Sequence, residues 1–381
     1  MNKIHYICHY HDVSGERNLV TQPSGITKIN YIKSSLKIAG FYVSVFSVAE
    51  ATTTKRVFYN AITKKIDCNE KLTYIHSFGR TNIFLKIFSR LLMQIQLLFY
   101  LFFRVRSADK VLVYHSLTLK TPIKIACLLT KIKLFIEVEE LYHAVSKSSE
   151  KKIRKEIKYL QNAHGYILVN DLIAEKCGFL NKPIAICYGD YRMTSIKKGS
   201  FSDKNIHLVY AGGIDQPDSD VYLALATMPC LPSNYRLHIL GYGLSENIIL
   251  MKQKIDGLNA SLGNEFITYH GCLSGNEYFS FLSKCDIGLC TRVLIDKYSD
   301  YTFPSKVLVY LGNNLIPICS PISSVSNSQI SNYVFFHKDF TPQSVADTVL
   351  SIQKKYNIVH GSILNLLDER FVKSLTKLFD S

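Results

Sequence analysis

Lys306 stands in the segment YTFPSKVLVYLGNNLIPICS, Tyr301 to Ser320, directly after Phe303, Pro304 and Ser305. Pro and Ser suit the start of a helix, where a hydroxyl or a free N–H caps and the helix dipole favours an anion. A lysine in that first turn works against the dipole, so it predicts a negatively charged ligand between the lysine and the helix terminus. Two glycine pairs in the same half invite the same chemistry: Gly212 and Gly213 after IHLVYA, and Gly241 and Gly243 around Tyr242 after RLHIL. With no Cβ in the way, backbone N–H groups there can approach a phosphate. Glycines also end strands for plain turn reasons, so neither loop decides the matter alone. A dinucleotide fingerprint fails because Glu246 takes the place of its last glycine, and an NAD enzyme is not expected.

The first half offers fewer such groups. Glu139 and Glu140 close the run KLFIEVEE, where carboxylates at a strand end can act as a base, although an exposed acidic loop explains them equally. His115 ends KVLVYH, and a lone loop histidine is commonly structural. Gly25, in QPSGI, opens a helix N-terminus to a ligand or simply makes a turn. His5, His9 and His11 have no matching carboxylate or cysteine spacing, so no metal site is expected.

Alternating strands and helices must carry these residues. KIHYICHY reads as a strand, and GITKINYIKSSLKIAG as a helix with Ile26, Ile29, Ile32 and Leu36 on one face and Gly40 at its end. FYVSVFSV, KVLVYHS, KLFIEVEE, HGYILVN and PIAICYG follow as strands or strand-like runs. The charged stretch YRMTSIKKGSFSDKN reads as a linker. A second series then opens with IHLVYAGG, DVYLALATM, RLHILGYG, EFITYHG, NEYFSFLSKC and DIGLC, and continues through the Lys306 segment to the helix PQSVADTVLSIQKKY. Two such series argue for an α/β protein of two doubly wound domains facing a cleft, with ligands at the carboxyl ends of the strands. The expected division is 1–192, 203–358 and a C-terminal helix, 359–381, returning towards the first domain.

Composition limits the partners. The chain of 381 residues is 47% hydrophobic, with 24 Tyr and 21 Phe, enough for a large core. Its ten cysteines show no CxxC pair, which predicts free thiols in a reducing compartment. The N-terminus lacks the regions of a signal peptide, which predicts a cytoplasmic chain. Residues 1–200 hold 31 Lys+Arg against 14 Asp+Glu, whereas residues 201–381 hold 14 against 16. The basic excess belongs to one half, and it points to an anionic partner for that half: nucleic acid, a membrane surface or a phosphate-bearing lipid. No helix-turn-helix, zinc-finger or RNP-like pattern supports nucleic acid. Asn82 to Ser107 is the most apolar segment, but its uninterrupted core, Leu91 to Phe103, contains Gln94 and Gln96 and is too short to span a bilayer. Lys86, Arg90 and Gln94 mark one polar stripe, as on a helix lying in a membrane interface or on a core helix with one exposed edge. The basic cluster from Lys151 to Lys158 is either a solvated helix face or a further membrane contact.

LVYAGGI, RLHILGYG, ITYHGCLSGNEYFSFLSKCDIGL and YTFPSKVLVYLGNNLIPICS, in that order and spacing, resemble the nucleotide-binding half of GT-B glycosyltransferases of the family-four (group 1) type, found in bacterial surface polysaccharide biosynthesis. The resemblance covers Ile206 to about Tyr356; in the first half only PSGITKINYIKSSLKIAGFYVSVFS is similar in pattern. It implies transfer of a sugar from a nucleotide-sugar donor without a metal or other cofactor. Gly212, Gly213, Gly241, Gly243, Phe303, Pro304, Ser305 and Lys306 would hold the donor, with Arg292 as a second phosphate cation or a plain surface residue. Glu139, Glu140 and His115 become candidate catalytic groups and Gly25 a candidate acceptor contact. Fixed cations suit the charge that develops on a leaving nucleoside diphosphate. Asp215 to Asp220, DQPDSD, reads as a capping loop rather than a metal motif. The family's pair of glutamates would fall on Tyr301 and Val309, and Val309 cannot bind a ribose hydroxyl. The expected function is transfer to a polyprenyl-pyrophosphate-linked glycan, in O-antigen, capsule or exopolysaccharide assembly, by a protein peripheral on the cytoplasmic face of the membrane. A catalytically silent nucleotide-sugar-binding protein, a basic nucleic-acid-binding protein and a sugar-nucleotide epimerase are the alternatives.

Overall fold

The computed structural model describes residues 2–12, 17–21, 23–52, 56–215, 220–292, 300–352 and 361–380. The chain divides into two compact units, Met1–Asp190 with Glu369–Ser381, and Tyr191–Asp368. The linker-like stretch that starts at Tyr191 therefore belongs to the second unit.

The first unit runs β1 (Lys3–Cys8), α1 (Pro23–Ile38), β2 (Tyr42–Ser47), β3 (Phe58–Tyr59), β4 (Ile62–Lys65), β5 (Glu70–Tyr74), β6 (Ser77–Phe78), α2 (Ile83–Arg104), β7 (Lys110–Tyr114), α3 (Lys120–Leu129), β8 (Lys133–Val138), α4 (Tyr142–Val145), α5 (Glu150–Leu160), β9 (Gly165–Leu168), α6 (Leu172–Lys176) and β10 (Ile184–Ile186). Among the described residues its main sheet has the order β10-β9-β8-β7-β1-β2-β5-β4, parallel except for β4. The central strands are buried on both faces, which is why KIHYIC and KVLVY read as near-continuous apolar runs. In α1, Ile29, Ile32 and Leu36 are buried at helical spacing, and Gly40 ends the element with a φ of +88° that favours glycine.

The second unit runs β11 (Ile206–Ile214), α7 (Asp220–Thr227), β12 (Tyr235–Gly243), α8 (Ser245–Leu262), β13 (Ile267–Tyr269), α9 (Gly275–Leu282), β14 (Ile287–Cys290), α10 (Lys306–Gly312), β15 (Ile316–Cys319), α11 (Ser323–Ser326), β16 (Phe335–Phe336), α12 (Pro342–Ile352) and α13 (Gly361–Asp380). Its strands are all parallel, in the order β13-β12-β11-β14-β15-β16. The end of α13 belongs to the first unit, where Phe371 stacks on Tyr31 and Phe379 packs on Phe135. Residues 353–356 of the run PQSVADTVLSIQKKY lie outside the described residues.

Two expectations change. Gly212 and Gly213, and likewise Gly241 and Gly243, lie inside β11 and β12 rather than in loops beyond them, paired in register as Gly212 with Gly241 and Ile214 with Gly243. The apolar segment forms one helix of 22 residues, long and apolar enough by length and composition to cross a membrane, because Asn82 caps it early by accepting from the Leu85 N–H and the helix continues to Arg104. One stripe of α2 is nonetheless tied to the unit. Ser89 donates to Glu50 at 2.7 Å, and the Tyr100 hydroxyl meets His5 at 2.7 Å and Ser44 at 3.0 Å. These bonds fit a helix lying along the unit rather than standing alone in lipid.

Candidate functional site

In each sheet the strand order reverses once, and a crevice must open at the carboxyl ends of the two strands that part there. In the second unit those strands are β11 and β14, which pair only at Leu208–Ile287 and Val209–Gly288. Beyond that point Tyr310 of α10 fills the gap. Its hydroxyl accepts from the Ala211 N–H at 3.0 Å and donates to the Leu289 carbonyl at 3.2 Å, satisfying two backbone groups that the parting strands leave unpaired. Gly288 admits the ring, since a Cβ there would lie 2.3 Å from it. Directly above is a cavity of about 450 Å³ bordered by Tyr210, Asp220, Cys290, Arg292, Phe303 and Lys306, among others.

Lys306 is a lining residue of this cavity. Its ammonium lies 4.0 Å over the Tyr210 ring and 3.6 Å from the Asp220 carboxylate. Burial opposes its charge, yet Tyr210, Cys290 and Asp220 more than offset this and hold its pKa above the ordinary lysine value. Asp220 is the carboxylate among them, so the lysine that predicted an external anion already faces an internal acidic partner. Gly212 is what lets it lie there: a Cβ at that position would stand 2.5 Å from Lys306 Cε and 2.6 Å from Nζ. Gly241 and Gly243 serve the sheet instead, for a Cβ would meet the Gly212 carbonyl at 2.2 Å and the Ile214 carbonyl at 2.1 Å. Arg292, at the end of β14, donates from Nη1 to Thr302 at 3.1 Å and borders the cavity. Phe303, Pro304 and Ser305 border it as well, but the Ser305 side chain makes no capping bond to α10, contrary to the reading of that residue as a cap.

Val309 is half-buried on α10 and offers no polar side-chain atom; its carbonyl accepts from Asn313 at 2.7 Å. Of the stretch read as a capping loop, residues 216–219 lie outside the described residues, while Asp215 and Asp220 border the cavity. Tyr210, Asp220 and Cys290 were not singled out in the sequence. Two of them sit in strands that read as apolar core, and the third in a stretch of acids that reads as surface.

In the first unit the parting strands are β1 and β7, and a cavity of about 360 Å³ lies at their carboxyl ends, bordered by His9, Gly25, Ile29, Tyr114, Ser116 and Tyr142, among others. Gly25 thus borders a cavity from the first turn of α1. Glu139 follows β8 and pairs with Lys28 of α1 at 2.6 Å. Glu137, two residues earlier, is fully buried and accepts from the Tyr6 hydroxyl. Burial, and then the charge of Glu139, push the Glu137 carboxyl well above the usual carboxylate range. Lys28 resists its own burial through Glu139 and stays charged, its pKa raised. His115 is buried and contacts Glu156 through Nε2 at 2.7 Å. Glu156 also accepts from the Tyr142 and His143 N–H groups at 2.9 Å each, which fastens the start of α4. His115 is therefore built into a structural knot, with Tyr114 and Ser116 on either side of it reaching the cavity. Glu140 follows Glu139 and is half-buried.

Among the described residues no cluster of three or more His, Cys, Asp or Glu is arranged to hold a metal ion. No protein-family model matches the chain, and no curated protein does. Solved structures do match. A trehalose-6-phosphate protein from E. coli, bound with UDP-2-fluoro glucose, has a TM-score of 0.70 at 10% identity, covering 100% of this chain and 98% of its own. An alpha,alpha-trehalose-phosphate synthase (UDP-forming) from Burkholderia xenovorans, in complex with glucose-6-phosphate, has a TM-score of 0.67 at 9% identity over 98% of both chains. A sucrose-phosphate synthase from Thermosynechococcus elongatus has a TM-score of 0.65 at 11% identity, covering 100% of this chain and 95% of its own. At such identities the likeness is one of fold, and the fold of this chain is GT-B: two Rossmann-like α/β domains, each with a crevice at the reversal of its sheet.

Proposed function

We propose that the protein is a metal-independent glycosyltransferase that takes a sugar from a nucleotide-sugar donor. The observation that carries this reading is the cavity at the β11/β14 reversal, with both Lys306 and Arg292 on its border. A nucleoside diphosphate leaves with growing negative charge on its terminal phosphate, and fixed cations in a preorganised, partly dry site stabilise that charge as it forms. Asp220 would yield its hold on Lys306 to the diphosphate. Because the structural neighbour from E. coli was solved with a UDP-sugar analogue, UDP is the first nucleotide to try.

For the acceptor we infer a polyprenyl-pyrophosphate-linked glycan, bound by the first unit at the cytoplasmic face of the membrane during O-antigen, capsule or exopolysaccharide assembly. The support is physical: exposed Phe84, Phe88, Phe99 and Phe103 on α2, exposed Leu128 and Leu129 on α3, and a run of Lys and Arg on α5, all in the unit with the basic excess. Apolar side chains enter the interface and cations meet anionic headgroups.

A thermal-shift panel of UDP, GDP, TDP and CMP on wild type and Lys306→Ala tests the donor half. One nucleoside diphosphate should stabilise wild type and leave Lys306→Ala nearly unmoved; if none stabilises wild type, the donor site is not there. Turnover assays with the donor so found, given either a prenyl-pyrophosphate-linked sugar or glucose 6-phosphate, test the acceptor. Transfer to the sugar phosphate alone would refute the lipid-linked reading. Binding without turnover on any acceptor would favour the catalytically silent alternative, for which Val309 is the motivating residue.

A further inference from the structure

Cys290 and Cys319 are register partners at the carboxyl ends of neighbouring strands, β14 and β15. Adjacent parallel strands run about 4.8 Å apart, inside the Cα separation of roughly 4.4–6.8 Å that a disulfide spans. Both side chains are buried; Cys290 borders the Lys306 cavity, and Cys319 stands beside it on the next strand. The Cys319 thiol is hydrogen-bonded to Cys290 and holds the Cys290 pKa below the ordinary thiol value, against burial and with the help of Lys306 and Arg292. The same bond, together with burial, pushes Cys319 well up. Other buried thiols in the chain have different partners: Cys187 donates to the Gly189 carbonyl at 3.3 Å and Cys285 to the Phe281 carbonyl at 3.7 Å. Cys290 thus combines a neighbouring thiol, nearby cations and a route to solvent through the cavity.

We propose that Cys290 is a peroxide-sensitive modification site, with Cys319 as its resolving thiol, and that the disulfide they form weakens the hold of the Lys306 cavity on nucleoside diphosphates. The chemistry balances with hydrogen peroxide as the two-electron oxidant. The Cys290 thiolate attacks one peroxide oxygen, the S–O bond forms as the O–O bond breaks, and the leaving hydroxide takes a proton to become water. Cys319 sulfur then attacks the sulfenic sulfur; the S–S bond forms, the S–O bond breaks, and the second water leaves with the Cys319 proton. Two thiols and one peroxide give one disulfide and two waters, and a dithiol reductant reverses the change. Because the strands already stand at disulfide spacing, the bond does not draw them together; it ties the Cys290 sulfur to Cys319 and takes from beside Lys306 a thiol that, with Tyr210 and Asp220, favours its charge. The effect on ligand rests on the donor-site reading above, whereas formation of the disulfide does not.

The test is to treat the full chain with a small excess of hydrogen peroxide, then to map thiols by differential alkylation and peptide mass spectrometry. A cross-linked Cys290–Cys319 peptide, two hydrogens lighter and restored by dithiothreitol, is expected. Cys319→Ser should instead trap a dimedone adduct at Cys290, and Cys290→Ser should give neither product. The thermal shift caused by UDP should shrink in the oxidised protein and recover on reduction. Alkylation of Cys290 and Cys319 at peroxide doses that already oxidise exposed Cys68 and Cys272 would overturn the site. A disulfide that leaves the UDP shift unchanged would overturn its control of the cavity. If no nucleotide stabilises the reduced protein, the donor reading falls while the mass measurement still decides the disulfide.

Discussion

Lys306 and Gly212 form one device, because the lysine occupies the space a Cβ on residue 212 would take. The atoms displaced by Gly212→Ala are the tip of a flexible side chain, so the variant should fold with a melting temperature close to wild type. Its ammonium, however, is pushed from the cavity, and UDP affinity should drop by roughly 10- to 100-fold, as in Lys306→Ala, since a hydrogen bond to a charged group is worth about 1.5–3 kcal/mol. Gly241→Ala separates the two roles of glycine: its clash is with the Gly212 carbonyl, and it should lower the melting temperature whether or not ligand is present. Asp220→Asn frees Lys306 from its internal counter-ion, and isothermal titration should show tighter, not weaker, diphosphate binding. Weaker binding would mean that Asp220 itself touches the ligand. Lys306, Arg292 and Gly212 were legible as candidates because a charge or a glycine is unusual where they stand. Tyr210 and Cys290 were not, since a tyrosine or cysteine in an apolar strand reads as core until the neighbouring strand parts from it. Nor could the sequence say that Gly212 serves a side chain rather than a phosphate, because that depends on a lysine 94 positions away.

At the scale of elements, the strands of the second unit carry an acid-sensitive ladder. His207 of β11 contacts His238 of β12 at 2.9 Å, His238 contacts His270 beyond β13 at 3.0 Å, and Asp203 closes the row at 2.7 Å from His207. Phe201 stacks on His207 and His238. Burial, then the charges of His270 and His207, lower the His238 pKa to about 3, and burial lowers that of His270 as well. An unfolded histidine titrates near 6.5, so between that pH and about 3 the unfolded chain binds a proton that the folded His238 refuses. Stability is therefore full above about 6.5 and falls as the pH drops, by about 1.4 kcal/mol per pH unit for each such proton. Urea midpoints measured from pH 7.5 to 4.5 should fall steadily, and His238→Asn should flatten the decline; an unchanged slope would remove the ladder as its source. The strands were plain in the sequence because a buried parallel sheet demands unbroken apolar runs. Helix α8 was not recognised, although Ile248, Met251, Ile255, Leu258 and Leu262 recur at helical spacing and pack on the core.

At the scale of the whole chain, the basic excess and most of the exposed large apolar side chains fall in the same unit. The double series of strands and helices made that division readable, whereas the attachment of the end of α13 to the first unit rests on aromatic contacts of Phe371 and Phe379 that no local pattern reveals. On α2 the residues that face the unit are Ser89, Met93, Leu97, Tyr100 and Leu101, while Phe84 is 79% and Phe103 75% exposed. Leu128 of α3 is 82% exposed, and Lys120, at the start of α3, reaches the Lys155 carbonyl of α5 at 3.4 Å. Exposed apolar groups of α2 and α3 thus share a unit with Lys151, Lys152, Arg154, Lys155 and Lys158 of α5, which α3 touches, and a unit that is both apolar and cationic at its surface fits a lipid interface better than a bare phosphate backbone. The full chain should co-sediment with vesicles containing phosphatidylglycerol and much less with neutral vesicles. Replacing Lys151, Lys152, Arg154 and Lys155 by Ser should weaken that binding by about a thousandfold, at about 1 kcal/mol per cation. Phe84→Ser with Phe103→Ser should reduce it while leaving its salt dependence in place, because those rings add area and not charge. Steeply salt-dependent binding to RNA or DNA, with no preference between the two kinds of vesicle, would instead assign the basic half to nucleic acid and sever the link between this unit and a lipid-borne acceptor.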